Sequence, residues 1–119
     1  MAKRPSRVGS KKLERSVKQD VIAVLTAPDI YYFMPVQMGY GASGLDFHCA
    51  IVVRNMCIAF WVETKRTDPK TGVYSELTDR QEKLVADLRG RMKAKVLVIY
   101  NWAGVQELKE WIAKMRSLN

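Results

Sequence analysis

Between Gly44 and Arg66 the chain reads GLDFHCAIVVRNMCIAFWVETKR, and this stretch limits the possible folds more than any other. Two apolar runs, 45–53 and 56–66, are rich in branched and aromatic residues and are joined by a tight turn at Arg54-Asn55. They predict an antiparallel hairpin. Side chains alternate along a strand, so Cys57, Ala59, Trp61, Glu63 and Lys65 share one face of the second run. Ile58, Phe60, Val62 and Thr64 take the other. Both faces are largely apolar, which predicts a central strand. An acid at the start of the first run and an acid–x–lysine at the end of the second break this pattern.

In an antiparallel hairpin the start of the first strand lies beside the end of the second. Asp46 and Glu63 therefore meet at one end of the sheet, with Lys65 about 7 Å beyond Glu63 at Cα by strand rise. Two converging carboxylates repel each other unless a cation sits between them. A hard divalent ion with oxygen ligands, such as Mg²⁺, would satisfy them. Lys65 could then orient or deprotonate a water, or steady charge in a transition state. A second reading needs no metal: Lys65 forms a salt-bridge cluster with both acids. The spacing alone leaves both readings open.

The rest of the chain builds a frame around this hairpin. Leu13, Val17, Val21, Val24 and Leu25 recur at three- and four-residue spacing, predicting a helix over about 11–27 that ends at Pro28 and Asp29. Glu14 falls in phase with its apolar face and so points toward the sheet, or it pairs with Lys18 one turn on. Residues 30–37 predict a strand in which Pro35 marks an edge or a bulge. A loop with Gly39, Gly41 and Gly44 leads to the hairpin, and the polar stretch 67–77 leaves it. A helix over about 79–89 carries Gln81 in phase with Leu84, Val85 and Leu88. Thr78-x-x-Gln81 also has the form of a capping box, so Gln81 is a cap, a site contact or both. A strand over 95–100 and a helix over 104–117 complete the order α-β-β-β-α-β-α. Three strands in an antiparallel meander and a fourth after a helical crossover predict an α/β fold with a mixed four-stranded sheet flanked by helices.

The 119 residues suit one domain, expected over 13–119, preceded by a basic flexible arm over 1–12. Twenty Lys+Arg against twelve Asp+Glu give a net charge of +8, which favours a polyanionic partner, nucleic acid before membrane. Lys11 and Lys12 in the arm either contact phosphate or belong to a solvated tail. Arg66 and Lys70 directly follow the acidic end of the hairpin and are the preferred phosphate clamps. The other basic residues, Arg54, Arg80, Arg89, Arg91, Lys93 and Lys95 among them, are each accounted for by solubility. No apolar run is long enough to span a bilayer, and the basic N-terminus lacks the apolar core of a secretory signal. A cytoplasmic protein is expected, with Cys49 and Cys57 both reduced and buried in strands. One histidine and no CxxC pair argue against a structural zinc site. Ser43, Asp46 and His48 stand too close in sequence for a hydrolase triad, and the glycine-rich loop lacks the GKS/T of a P-loop.

Taken together, Glu14 on the first helix, GYGASGLD ending in Asp46, WVETKR with Glu63 and Lys65, ELTDRQEKLVADLRG with Gln81, and the closing AKVLVIYN resemble the VRR-NUC domains of the PD-(D/E)XK nuclease superfamily. The resemblance covers about residues 13–101. Leu45 stands in place of the proline in the superfamily's signature, a change of loop shape and not of ligand. The resemblance implies a restriction-endonuclease-like core and a Mg²⁺- or Mn²⁺-dependent endonuclease acting on DNA. Asp46, Glu63 and the main-chain carbonyl of Thr64 would hold the metal, with Glu14 as an accessory ligand. Lys65 would assist the attacking water, and Gln81 would contact the water or the scissile phosphate. Small stand-alone members resemble Holliday-junction resolvases, so a homodimer acting on four-way junctions is expected. Tyr31, Tyr32, Phe33 and Trp102 or Trp111 are candidate dimer surfaces. A nuclease of the same fold acting on flaps or linear DNA, and a non-catalytic DNA-binding module, are the alternatives.

Overall fold

Strand alternation and a tight turn are enough to form the centre of the molecule, and the computed structural model shows them there. It describes residues 10–35, 44–65, 70–72 and 75–119, with the side chains of residues 10–15 outside that description. Strands β2 (Phe47–Val53) and β3 (Met56–Thr64) pair antiparallel from Phe47↔Val62 to Val53↔Met56. Arg54 and Asn55 between them have φ of 50° and 65°, the left-handed geometry that lets a two-residue turn follow the strand twist. Arginine is an unusual residue there. Its amide donates to Asn119 Oδ1 at 2.6 Å and its Nε to the Leu118 carbonyl at 2.7 Å, so the chain's last residues hold the turn.

β1 (Ile30–Phe33) adds antiparallel to β2, and β4 (Lys95–Ile99) adds parallel to β3, giving the order β1-β2-β3-β4. This is the mixed four-stranded sheet expected from the sequence, with β3 inside it. Helices α1 (Ser10–Leu25) and α3 (Trp102–Arg116) cover one face. Val17, Val21, Leu25, Leu108 and Ile112 pack there on Phe47, Ile51, Phe60, Val62 and Ile99. Helix α2 (Asp79–Gly90) covers part of the other face, where Val85 and Leu88 bury Val96 and Leu45 and lean on Trp61.

The helix and strand ends differ by a few residues from the sequence expectation. α1 stops at Leu25: Thr26 makes the last i→i−4 bond, to the Ile22 carbonyl, the Ala27 amide turns to the Leu25 carbonyl, and Pro28 has no N–H to continue the helix. β1 stops at Phe33, two residues before Pro35, which has no N–H for a ladder. β2 begins at Phe47 and β3 ends at Thr64, so Asp46 and Lys65 flank the ladder rather than lie in it. α3 begins earlier, at Trp102, because the Asn101 side chain caps it by accepting from the Gly104 amide at 3.3 Å.

One expectation about the strands fails. Cys49 is buried, and burial pushes its thiol up to about 12, but Cys57 is exposed. α2 reaches only the β4 side of its face. The start of β3 on that face, Cys57 and Ala59, is left open. So are Tyr31, Phe33 and Val52 on the neighbouring strands. Among the described residues no helix is long and apolar enough to cross a membrane.

Candidate functional site

The ladder ends at Phe47↔Val62, and the next residue on each strand is an acid or its neighbour. The Asp46 amide donates to Glu63 Oε1 at 2.9 Å. The Thr64 amide donates to Asp46 Oδ2 at 2.9 Å, and the Thr64 hydroxyl donates to the same oxygen at 2.5 Å. Each acid is thus fixed by the backbone of the opposite strand. Asp46 and Glu63 meet as the hairpin geometry predicts.

The other partners come from α2. Thr78 caps this helix, accepting from the Gln81 amide at 3.2 Å, while Gln81 Oε1 accepts from the Thr78 amide at 3.0 Å. The capping box holds the Gln81 side chain at the helix start, where it also faces the sheet. There Gln81 Nε2 donates to Glu63 Oε2 at 2.9 Å, and Gln81 Oε1 accepts from Lys65 Nζ at 2.9 Å. Gln81 thus caps α2 and bonds Glu63 and Lys65 in one conformation. Lys65 Nζ also lies 3.4 Å from Glu63 Oε2.

Glu63 is only 3% exposed, an unusual place for a carboxylate. Burial raises its pKa most, and the Asp46 charge raises it further. The Asp46 amide and Lys65 pull in the other direction without cancelling the rise. Hydrogen bonds therefore satisfy Glu63 while leaving its charge undercompensated.

Lys18 is the partner that sequence reasoning missed. It projects from α1 and places Nζ 3.9 Å from Asp46 Oδ1. Its one sequence signal is its place beside Val17 on the flank of the buried helical stripe. The hydroxyl of Thr64 was also missed. A threonine at a buried strand position next to an acid was the available sign.

The donors at this end of the sheet fit a hard divalent cation in kind. They are carboxylate oxygens together with the Thr64 carbonyl, which in an extended residue points to the same side as the amide bound to Asp46. Among the described residues no group of three or more His, Cys, Asp and Glu gathers. Two carboxylates would leave most of an octahedral shell to the carbonyl and to water, which suits a Mg²⁺ that keeps its waters.

The side chains of Glu14, Lys11 and Lys12, and all of Arg66, lie outside the described residues. Lys70 is exposed on the turn that follows. Other basic residues have structural partners: Arg89 Nη2 donates to the Val96 carbonyl at 2.7 Å, and Arg91 Nε to Asp87 Oδ1 at 2.8 Å. His48 sits between the rings of Phe33 and Trp61, 6.3 Å from each centroid, as a packing residue. Tyr31 and Phe33 are exposed, Tyr32 packs on Phe47, and Trp111 is half-buried against Phe60. Trp102 is exposed, with Lys109 Nζ 5.1 Å above its ring.

No protein-family model, curated protein or solved structure matches the chain.

Proposed function

We propose that the chain is a metal-dependent endonuclease of the VRR-NUC type, within the PD-(D/E)XK superfamily, that hydrolyses phosphodiester bonds in structured DNA. Four-way junctions are its expected substrate and a homodimer its expected form. The observation that carries this reading is the placement of Asp46, Glu63, Lys65 and Gln81 in one hydrogen-bonded cluster, with a buried carboxylate whose charge is not fully compensated. A salt-bridge cluster serving stability alone is a poor rival explanation. Burying a charge costs several kcal/mol (order of magnitude), and an apolar residue in its place is often as stable. A site that awaits a cation accounts for retaining two acids side by side.

In this reading Asp46, Glu63 and the Thr64 carbonyl hold Mg²⁺ or Mn²⁺. The ion would stabilise charge developing on the phosphate and make a water more acidic. Lys65, with its ammonium set by Gln81 and Glu63, orients the water for in-line attack on phosphorus. Gln81 keeps Glu63 and Lys65 in register while its own backbone is capped by Thr78. Glu14 is an accessory ligand from α1. Arg66, Lys70, Lys11 and Lys12 contact the DNA backbone, consistent with a net charge of +8. Exposed Tyr31 and Phe33 on β1 offer an apolar surface to a second copy.

The test is cleavage of a labelled four-way junction, a flap and a plain duplex, with Mg²⁺, with Mn²⁺ and with chelator. Glu63→Ala and Lys65→Ala are run beside the unaltered protein. Paired, metal-dependent nicks on the junction that vanish in both variants are expected. Cutting of flaps or duplex instead would keep the nuclease and discard the junction preference. Tight binding without cutting under either metal would leave a DNA-binding module.

A further inference from the structure

The two oxygens of Asp46 are unequal. Oδ2 accepts from the Thr64 amide at 2.9 Å and from the Thr64 hydroxyl at 2.5 Å. Oδ1 has a single close cationic partner among the described residues, Lys18 Nζ at 3.9 Å. Any cation that takes Asp46 as a ligand must meet it through Oδ1. Lys18 stands on that approach.

We infer that Lys18 is a placeholder cation, which neutralises Asp46 Oδ1 in the metal-free protein and gives up that oxygen when a divalent ion binds. The inference rests on the proposed metal-dependent reading and goes beyond it by assigning a role to a residue on α1. Three observations support it. Lys18 is anchored at its backbone, because Val17 and Val21 on either side are buried under the sheet. Its head is not anchored: the contact is long and the side chain is 32% exposed. An exposed pair of this kind holds weakly, and a four-carbon stem lets the ammonium swing clear. Lys65 differs, being only 13% exposed and bound to both Gln81 and Glu63. Of the two lysines at the acids, one is built in and the other is free to leave.

The role makes Lys18 a positioning residue with an opposite sign from a ligand or a clamp: removing it tightens metal binding. A unit charge about 4 Å from an exposed site is worth about fivefold in affinity even at the dielectric of water. The test is Mn²⁺ binding followed by the loss of the free-ion EPR signal, on folded protein without DNA. Lys18→Met is expected to bind Mn²⁺ about fivefold or more tightly than the unaltered protein. Lys18→Arg is expected to match the unaltered protein, and Asp46→Asn to bind much more weakly. Equal or weaker binding by Lys18→Met, with binding by the unaltered protein intact, overturns the placeholder and spares the metal site. No Mn²⁺ bound by any of the four proteins overturns the metal reading and the placeholder with it.

Discussion

Asp46 and Glu63 are bound to each other through a backbone amide: Asp46 N–H donates to Glu63 Oε1 at 2.9 Å. The carboxylate of Asp46 is held in turn by the amide of Thr64, one residue beyond Glu63. The pair is therefore a product of hairpin register. A slip of one residue in β2 against β3 would turn every side chain to the opposite face and separate the acids. The apolar alternation that fixes the core also fixes the site.

The raised pKa of Glu63 has a consequence for stability. A carboxyl whose folded pKa lies above its unfolded value favours the fold when protonated. Its contribution is fully present below about pH 4.3, the ordinary glutamate value, and is lost as pH rises through the folded pKa. Glu63→Gln is uncharged throughout. Its single acceptor oxygen costs it a hydrogen bond at every pH, because its NH2 would face a donor that Glu63 now accepts from. Its melting temperature relative to the unaltered protein is therefore expected to be most favourable at neutral pH and to fall on acidification. Asp29 and Asp87, whose pKa values are lowered by Arg116 and Arg91, act with the opposite sign but equally in both proteins. Melting temperatures of the two proteins from pH 4 to 8 check this. An offset independent of pH would show that Glu63 is ionised at no cost.

Divalent cations should act on the same balance. An ion beside Glu63 offsets the repulsion from Asp46, and a ligand that binds only the folded chain stabilises it by mass action. Mn²⁺ at a hundredfold excess over its dissociation constant is expected to add about 2.7 kcal/mol. Glu63→Ala should abolish this gain. A melting temperature unmoved by Mn²⁺ or Mg²⁺ in the unaltered protein would count against the metal site.

Thr78 and Gln81 separate a helix cap from a site contact. Thr78→Ala removes the bond to the Gln81 amide but leaves the Gln81 side chain its partners Glu63 and Lys65. It should cost about 1 kcal/mol and leave Mn²⁺ affinity unchanged. Gln81→Ala breaks the box and also strips Glu63 and Lys65 of a partner. It should cost more than Thr78→Ala and change Mn²⁺ affinity. Urea denaturation and Mn²⁺ titration of both variants decide the point. Equal effects on metal binding would reduce Gln81 to a cap.

Much of this site is legible in the sequence, for identifiable reasons. Asp46 and Glu63 follow from antiparallel pairing, and Gln81 from helical phase, because both are rules of local geometry. Cys57 defied the same rules. Its exposure depends on how far α2 extends over the sheet, a tertiary distance with no local signature. Lys18 was hidden for a similar cause. Helical phase places it at the rim of the buried stripe, but its reach to Asp46 depends on how α1 docks across β2 and β3. The first strand, expected over 30–37, shows the limit of composition: Met34 carries the apolar run past the aromatic residues, yet the ladder stops at Phe33, and residues 36–37 lie outside the described residues.

Gly104 ties the fold to the site. A Cβ there would lie 2.9 Å from Ile99 Cγ2 and 3.2 Å from Ile99 Cα, so α3 packs against β4 at a distance only glycine permits. In an open helix, alanine would be favoured over glycine by about 1 kcal/mol. Here the overlap opposes that gain, and overpacking costs about 1–3 kcal/mol. The overlap is with the backbone and branched carbon of a strand residue, which cannot swing away, so it should win. Gly104→Ala is expected to lower stability by about 1 kcal/mol in urea denaturation. The strain is not confined to the core, because the Ile99 carbonyl accepts the amide of Lys65 at 2.9 Å. A displaced β4 would move Lys65 against Glu63. Under the proposed nuclease reading, Gly104→Ala should therefore also disturb cleavage, although it lies in the α3 layer. A variant as stable as the unaltered protein, with unchanged cleavage, would show that the α3–β4 contact yields without transmitting strain.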